Sequence, residues 1–296
     1  MENLQIQYRM ALLMDHLIGL IRRMAHTVIP TGSSPEIYRK LVRSIYKRLV
    51  YNPQTHLVTV KKGVLAGMKK CGPFIESDFE FAMGQYEPEV TTALCKFCRP
   101  GMTVIDIGAN AGYITILLSK LVGESGHVHA FEPIPQNVLY LIETLRVNAL
   151  NNVTVHEMAV SDHVGEAQMN YCGVFDGFAS LMCGGHGYYH NQPASVISVA
   201  TITLDQFCSD TCIAQIGLIK IDIEGAEVLA LAGMSRILAT LRPMLIVELW
   251  GSKNIIEGSN VLRSKGYEIK VLTAWSGFVR GVKADIQTIL AKPSSI

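Results

Sequence analysis

MTVIDIGANAGY, residues 102–113, carries the reading of this chain. Thr103, Val104, Ile105 and Ile107 are β-branched and, apart from the threonine, apolar, which predicts a buried parallel strand. Gly108 and Gly112 bracket a tight turn. From Tyr113 to Leu121, apolar residues then recur with helical spacing at Ile114, Leu117, Leu118 and Leu121. A break at Gly123–Gly126, a short strand over His127–Phe131 and an acid, Glu132, complete the unit. Strand, glycine turn, helix, strand, acid is the nucleotide-binding half of a doubly wound sheet. In such sheets ligands bind at the carboxyl ends of the strands.

Two cofactor classes use this arrangement, and the turn separates them. A dinucleotide site needs G-x-G-x-x-G, whose second glycine lets the backbone approach a pyrophosphate. Here that position is Asn110 and the third is Thr115. S-adenosylmethionine has no diphosphate and asks only for room for a compact zwitterion beside a ribose. Asp106 suits its ammonium group and Glu132 its two ribose hydroxyls. The cofactor-side set is therefore Asp106, Gly108, Asn110, Gly112, Tyr113 and Glu132. The competing reading is a strand–helix turn that binds nothing.

A length of 296 residues allows one large α/β domain with an extension, or two small domains. Apolar residues make up 49% and charged residues 17%, so the chain should build a core rather than remain disordered. A net charge of +1 advertises no general affinity for nucleic acid or an anionic membrane. Seven cysteines, an odd number over a long chain, fit reduced thiols better than a disulfide framework. The apolar run 10–21 is interrupted by Asp15 and His16, lacks a small-residue cleavage site and is too short for a bilayer. A soluble, cytoplasmic protein without a membrane span is expected.

Residues 1–55 read as a helical extension. A first helix runs from Leu4 to about Thr27. A second is capped by Ser34 with Pro35 at its first turn. The second carries Arg39, Lys40, Arg43, Lys47 and Arg48 opposite Ile37, Leu41, Ile45 and Leu49. That basic face is either a binding surface or the solvated side of an amphipathic helix. The two helices offer a homodimer surface. Residues 56–84 read as a hairpin, with strands at Leu57–Val60 and Val64–Met68, plus a connecting segment. Phe74–Arg99 reads as helical, and Glu87 within it is either placed to fold over the cofactor or an exposed helix-start acid. The domain 85–296 then carries the sheet.

After Glu132, a helix started by Pro133 and Pro135 points Val138, Leu141, Ile142 and Leu145 inward, and a third strand runs from Val153 to Val160. Asp162, just beyond it, is placed near an adenine edge, with an Asx turn as the competing reading. Residues 165–194 show no clear period and read as a substrate loop containing His186 and His190. Residues 217–227, GLIKIDIEGAE, form a buried strand. Its alternation places Lys220, Asp222 and Glu224 on one face, converging on the carboxyl end. Met244–Leu249 is another buried strand and carries Glu248. Strands over Tyr267–Leu272 and Ile286–Ala291, around a Trp275-Ser276-Gly277 turn, close the edge. Seven strands with a final antiparallel hairpin make the Rossmann-like α/β plan of class I methyltransferases, order 3-2-1-4-5-7-6.

DIGANAGY from Asp106, FEP from Phe131, AVSDHVGEA from Ala159, TLDQF from Thr203, KIDIEGAE from Lys220 and IVEL from Ile246 resemble the FkbM-type methyltransferases in order and spacing. The likeness covers about residues 85–248, and KIDIEGAE is its most specific piece. It implies a methyltransferase dependent on S-adenosylmethionine. The acceptor is then a hydroxyl on a sugar, glycan or small natural product, and no nucleic acid is expected.

Methyl transfer to an alcohol asks the protein to hold three atoms in line and to remove a proton. Asp222, Glu224 and Glu248, at the ends of adjacent strands, are the candidate catalytic carboxylates, Asp222 also as a cofactor-binding residue, and Lys220 joins them, either orienting Asp222 or lowering the acceptor's pKa. A salt-bridged cluster at a strand end is the competing reading. His186 and His190 are lesser candidates. No metal is assigned: the three carboxylates lack a ligand spacing, and the pairs Cys95/Cys98 and Cys208/Cys212 read as small buried residues rather than zinc ligands. The rival functions are an RNA methyltransferase and a non-catalytic binding protein on the same fold. DIEG stands where base-amine methylases carry Asn/Asp-Pro-Pro-aromatic.

Overall fold

The computed structural model describes residues 47–48, 50–75, 77–171, 180–181, 195–279 and 282–294. The chain divides into two compact units, residues 1–86 and 87–296.

In the first unit, β1 (Tyr51–Asn52), β2 (Leu57–Thr59) and β3 (Lys69–Cys71) form an antiparallel sheet, followed by α1 (Asp78–Ala82). The buried Lys70 ammonium lies 2.6 Å from Asp78 Oδ1, and Asp78 Oδ2 accepts the Ile75 N–H, so both buried charges are satisfied. The hairpin differs from its expected form. Val64–Met68 is a turn, because Gly63 and Gly67 adopt φ of 80° and 90°, and Ala66 N–H bonds back to Gly63 O. The expected helix over 74–99 is likewise two helices. Gly84 and Glu87 at positive φ, then Pro88, interrupt the helical ladder.

The second unit opens with α2 (Pro88–Phe97) and then builds the sheet. The sequence runs β4 (Thr103–Ile107), α3 (Tyr113–Val122), β5 (His127–Phe131), α4 (Pro135–Val147), β6 (Val153–His156), β7 (Ala159–Val160), β8 (Gly165–Tyr171), β9 (Ser180–Leu181) and β10 (Ser195–Ile202). It continues through α5 (Leu204–Asp210), β11 (Leu218–Ile221), α6 (Glu227–Ala232), α7 (Ser235–Thr240), β12 (Met244–Trp250), α8 (Ser252–Ser264), β13 (Tyr267–Val279) and β14 (Val282–Pro293).

The main sheet has the order β13-β14-β12-β11-β4-β5-β6. In sheet-forming order this is 3-2-1-4-5-7-6, with β14 antiparallel to β12, as the sequence leads one to expect. β4 and β11 are central and pair in parallel, Asp106 opposite Lys220 and Ile107 opposite Ile221. Their apolar residues join Leu245, Val247 and Leu249 of β12 in a core packed against Phe207, Leu231, Leu238 and Leu262 of the helices. Each such fully buried side chain contributes about 1.5–3 kcal/mol. The carboxyl ends of β4, β5, β11 and β12 thus emerge from a rigid layer.

Four local expectations are corrected. On α4, Val138, Leu141 and Leu145 are buried, but Ile142 is 50% exposed, because the buried face also takes in Asn137 and Thr144 and is rotated so that Ile142 falls at its rim. The third strand stops at His156, and β7 belongs to a second sheet of order β7-β10-β8-β9. The first part of the 165–194 loop is strand β8, paired over seven residues with β10. The sequence of β8, GEAQMNY, lacks the clean alternation that would mark it as a strand. Trp275–Gly277 is continuous strand rather than a turn: the three residues pair with Ile286, Asp285 and Ala284 of β14, and the Trp275 ring lies over Gly277, where a side chain would have no room.

Candidate functional site

A crevice opens where β4, β5 and β11 end. It is lined by Gly108, Asn110, Phe131, Glu132, Asn137, Asp222, Ile223, Glu224 and Ala226, with Ile134, Met158, Val160 and Met169 forming an apolar side. The turn after β4 makes it possible. Gly108 has φ 87°, and a Cβ there would stand 1.9 Å from the Asp222 carbonyl oxygen. Only glycine permits β4 and the β11 exit to approach so closely. Asn110 also takes positive φ (48°), and Gly112, at 97°, leads into α3.

Glu132 is heavily bonded. Its Oε2 accepts the Asn110 N–H at 2.8 Å. Its Oε1 accepts the Ile134 N–H at 3.0 Å and the Asn137 side-chain amide at 3.2 Å. Burial nonetheless pushes its carboxyl up to about 7, the three donors only partly offsetting that effect. Asp106 is fully buried and does not line the crevice. Thr115 donates to its Oδ2 at 2.7 Å while Oδ1 has no partner, and burial raises its carboxyl.

Beyond β11 the candidate carboxylates come together. Lys220 Nζ donates to Asp222 Oδ2 at 2.9 Å, and Asp222 Oδ1 is buried without a partner. Burial alone would lower the Lys220 ammonium, but the charges of Asp222, Glu87 and Asp106 outweigh it and hold the ammonium up. Glu224, at φ 55°, is raised well above the carboxylate range by burial and by Asp222, Glu248 and Glu227. Glu248 accepts the Trp250 indole N–H at 2.9 Å. Burial, with Asp222 and Glu87, pushes it up to about 8. Asp222, Glu224, Glu227 and Glu248 thus crowd a corner with the Lys220 ammonium, where burial and mutual repulsion raise the three glutamates.

Glu87, at the start of α2, acts on Lys220, Glu248 and Tyr113 through its charge, which puts it on this side of the sheet. Tyr113 begins α3. Burial raises its phenol while a Thr91 hydrogen bond opposes the rise. Asp162 is placed apart: it is exposed, bonds His163 at 2.8 Å and Ser161, and does not line the crevice. Cys98 and Cys208 are buried, Cys95 and Cys212 exposed. Among the described residues no group of three or more histidines, cysteines and acids is arranged to hold a metal ion. No described helix is long and apolar enough to cross a membrane. His186, His190, the first N-terminal helix and the basic face from Arg39 to Arg43 lie outside the described residues.

Sequence reasoning missed several residues of the site. Met158 and Met169 reach the crevice from β6's end and from the second sheet, a placement no local pattern announces. Glu227 is fully buried and accepts the Gly225 N–H at 2.8 Å, fixing the turn that carries Glu224. Its place in KIDIEGAE was visible, but the turn it braces was not.

Comparison with known proteins adds a family. Residues 106–269 match the model of the methyltransferase FkbM domain. The chain is 31% identical over 166 residues to 31-O-demethyl-FK506 methyltransferase FkbM of Streptomyces tacrolimicus, which covers 46% of this chain and 60% of that protein. It is 31% identical over 70 residues to a protein-L-isoaspartate O-methyltransferase of Fervidobacterium nodosum, 23% of this chain and 35% of that one. The chain therefore spans less than two thirds of the length of either relative. A solved FkbM methyltransferase from Methylobacillus flagellatus aligns with 85% of this chain and 60% of its own, at 16% identity and TM-score 0.42.

Proposed function

We propose that this chain, which belongs to the FkbM methyltransferase family, transfers a methyl group from S-adenosylmethionine to a hydroxyl oxygen of a sugar, glycan or small natural product. The observation that carries the reading is the crevice into which Glu132, Asp222 and Glu224 all face, beside an apolar wall and behind a glycine turn.

The residues present suit that donor. Glu132 offers two oxygens with about four acceptor sites. Three donors of this chain use part of that capacity, leaving room for a ribose hydroxyl. Ile134, Met158, Val160 and Met169 supply a flat apolar surface for a base. The orphaned Oδ1 of Asp222 is an acceptor suited to a cation. Asp106 lies deeper behind it, and Glu87 acts on the same corner from the start of α2. Gly108, Asn110, Gly112 and Tyr113 shape the turn itself. When bound, S-adenosylmethionine supplies a methyl carbon made electrophilic by its sulfonium.

This chain's own work is orientation and proton removal. Lys220 pins Asp222 at 2.9 Å, so the carboxylate keeps one direction. Holding reactants in line lowers the barrier by about 7–11 kcal/mol in favourable cases. Glu248, pushed up to about 8, is the group whose proton affinity suits removal of a hydroxyl proton near neutral pH, and Glu224 stands beside it. Residues 85–296 form the catalytic domain in this reading, and Met169 of β8 lines the crevice.

Calorimetry with S-adenosylmethionine, S-adenosylhomocysteine and NAD tests the donor. Binding of the first two without NAD is expected, and NAD binding in their place would sink the reading. A labelled-methyl screen over glycans, hydroxylated natural products and RNA then tests the acceptor. Label appearing only in RNA would move this enzyme to another class.

A further inference from the structure

A polar line crosses three strands in an apolar part of the sheet. Glu248 of β12 stands opposite Thr288 of β14, and Thr288 stands opposite Thr273 of β13. Thr273 Oγ1 donates to Thr288 Oγ1 at 3.0 Å, and Thr288 Oγ1 donates to Glu248 Oε2 at 3.2 Å. Thr288 is 3% exposed, and the flanking pairs on its face of the sheet are Ile246–Leu290 and Trp250–Ile286, of which Ile246, Leu290 and Trp250 are buried. A hydroxyl in that setting is costly unless both its donor and its acceptor capacities are used.

The alignment depends on a bulge. The β13–β14 register shifts between Val271 and Thr273. Continued without the shift, Val271↔Ile289 would bring Leu272, not Thr273, opposite Thr288. The extra residue re-aims one side chain, which is what bulges near active sites do. It delivers a hydroxyl to the back of Thr288 where an apolar residue would otherwise sit.

We propose that Thr288, backed by Thr273, is a positioning residue that fixes the Glu248 carboxylate and keeps it able to accept a proton. The consequence for catalysis rests on the methyltransferase reading; the effect on Glu248 does not. Glu248 faces Asp222 and Lys220 from β11 and its exit, Glu224 from the following turn and Glu87 from the start of α2. Trp250 of its own strand and Thr288 of β14 complete its surroundings. Burial and the acids oppose a negative charge there, whereas Lys220 and the two donors favour it. Trp250 serves one oxygen and Thr288 the other, so the carboxylate plane is set from both sides. As a base Glu248 takes one proton: the acceptor O–H breaks, an O–H forms on Glu248, and the hydroxyl electron pair remains on the attacking oxygen.

The test follows the carboxyl signals of the free protein by ¹³C NMR after glutamate labelling, with Glu248 identified by the signal lost in Glu248→Gln. Thr288→Val should raise the Glu248 titration midpoint by about one pH unit, because a donor to the charged form is gone. Thr288→Ser, which restores a hydroxyl, should return it to the wild-type value. Thr273→Val should shift it in the same direction by less, and it covers the case in which Thr288→Val does not fold. An unchanged midpoint in both valine variants, or equal shifts in Thr288→Val and Thr288→Ser, overturns the proposal. Neither outcome depends on whether S-adenosylmethionine binds.

Discussion

Gly108→Ala should damage both the fold and the site, and the structure sets the size of the effect. The added Cβ would lie 1.9 Å from the Asp222 carbonyl oxygen, 3.0 Å from its carbon and 3.1 Å from Ile223 Cγ2. The obstacle is backbone, so no rotamer change relieves it. Even a 3.0 Å contact requires the Asp222 carbonyl to retreat by about 1.1 Å. That motion pulls at the Asp222 N–H bond to Ile107 O, which joins β11's exit to β4. Positive φ costs an alanine about 1–2 kcal/mol, and overpacking about 1–3 more. A total of about 3–4 kcal/mol is expected in urea unfolding. Because Asp222 moves with its backbone, turnover should fall about 100-fold in the protein that still folds. Gly251→Ala is the matched control. It has the same φ, 87°, and nothing lies within 4 Å of where its new methyl group would stand, so it should show only the conformational cost. Equal stability of the two variants, with equal affinity for S-adenosylmethionine, would refute the steric account of the turn.

The same geometry sets three further outcomes. Glu132 has its carboxyl raised from 4.5 to about 7, so the folded state holds that proton more tightly than the unfolded chain. Its stabilising contribution is complete below pH 4.5 and disappears as pH climbs through 7, about 3 kcal/mol in all. Urea midpoints between about pH 5 and 8 should therefore decline in the wild type and decline less steeply in Glu132→Gln, where Glu227 and Glu248 still titrate. His129 behaves in the opposite sense. Burial, with His127 and His156, lowers it to about 4, so stability present above pH 6.5 is lost as pH falls towards 4. The ring is partly exposed, so no more than about 2 kcal/mol is at stake. His129→Leu should remove that acid limb in thermal melts from about pH 4 to 7. Asp222→Ala leaves the buried Lys220 without its nearest counter-charge, though Asp106 and Glu87 remain. It should cost about 2–3 kcal/mol in unfolding and cut turnover more than affinity for S-adenosylmethionine; normal turnover would remove Asp222 from the mechanism.

The alternation and breaks of the chain specify most of the sheet. TVIDI and LIKI are so strongly β-branched that no helix competes with them, and the glycines between elements place each turn. Right-handed crossovers then leave little freedom in strand order, so β4, β11 and the acids at their ends could be located from residues alone. The long β13–β14 hairpin could be located too, but not its bulge. A one-residue slip depends on which side chains fit across the strands, not on either strand's own pattern.

The crevice itself belongs to the packed molecule. Glu132 and Asp222, far apart in the chain, face one space because β5 and β11 flank β4 on its two sides. Met169 arrives from a second sheet whose strands show no usable period. Asp106, legible as a ligand from its motif, proves to be buried beneath the turn. Proton affinity is likewise collective: Glu224 and Glu248 are ordinary acids in the sequence, and burial with the neighbouring acids raises both in the folded chain. Local pattern determines what a segment becomes, because φ/ψ preference and periodicity are properties of neighbours in the chain. Which acids share a low-dielectric corner depends on contacts between segments far apart, and those exist only once the sheet has formed.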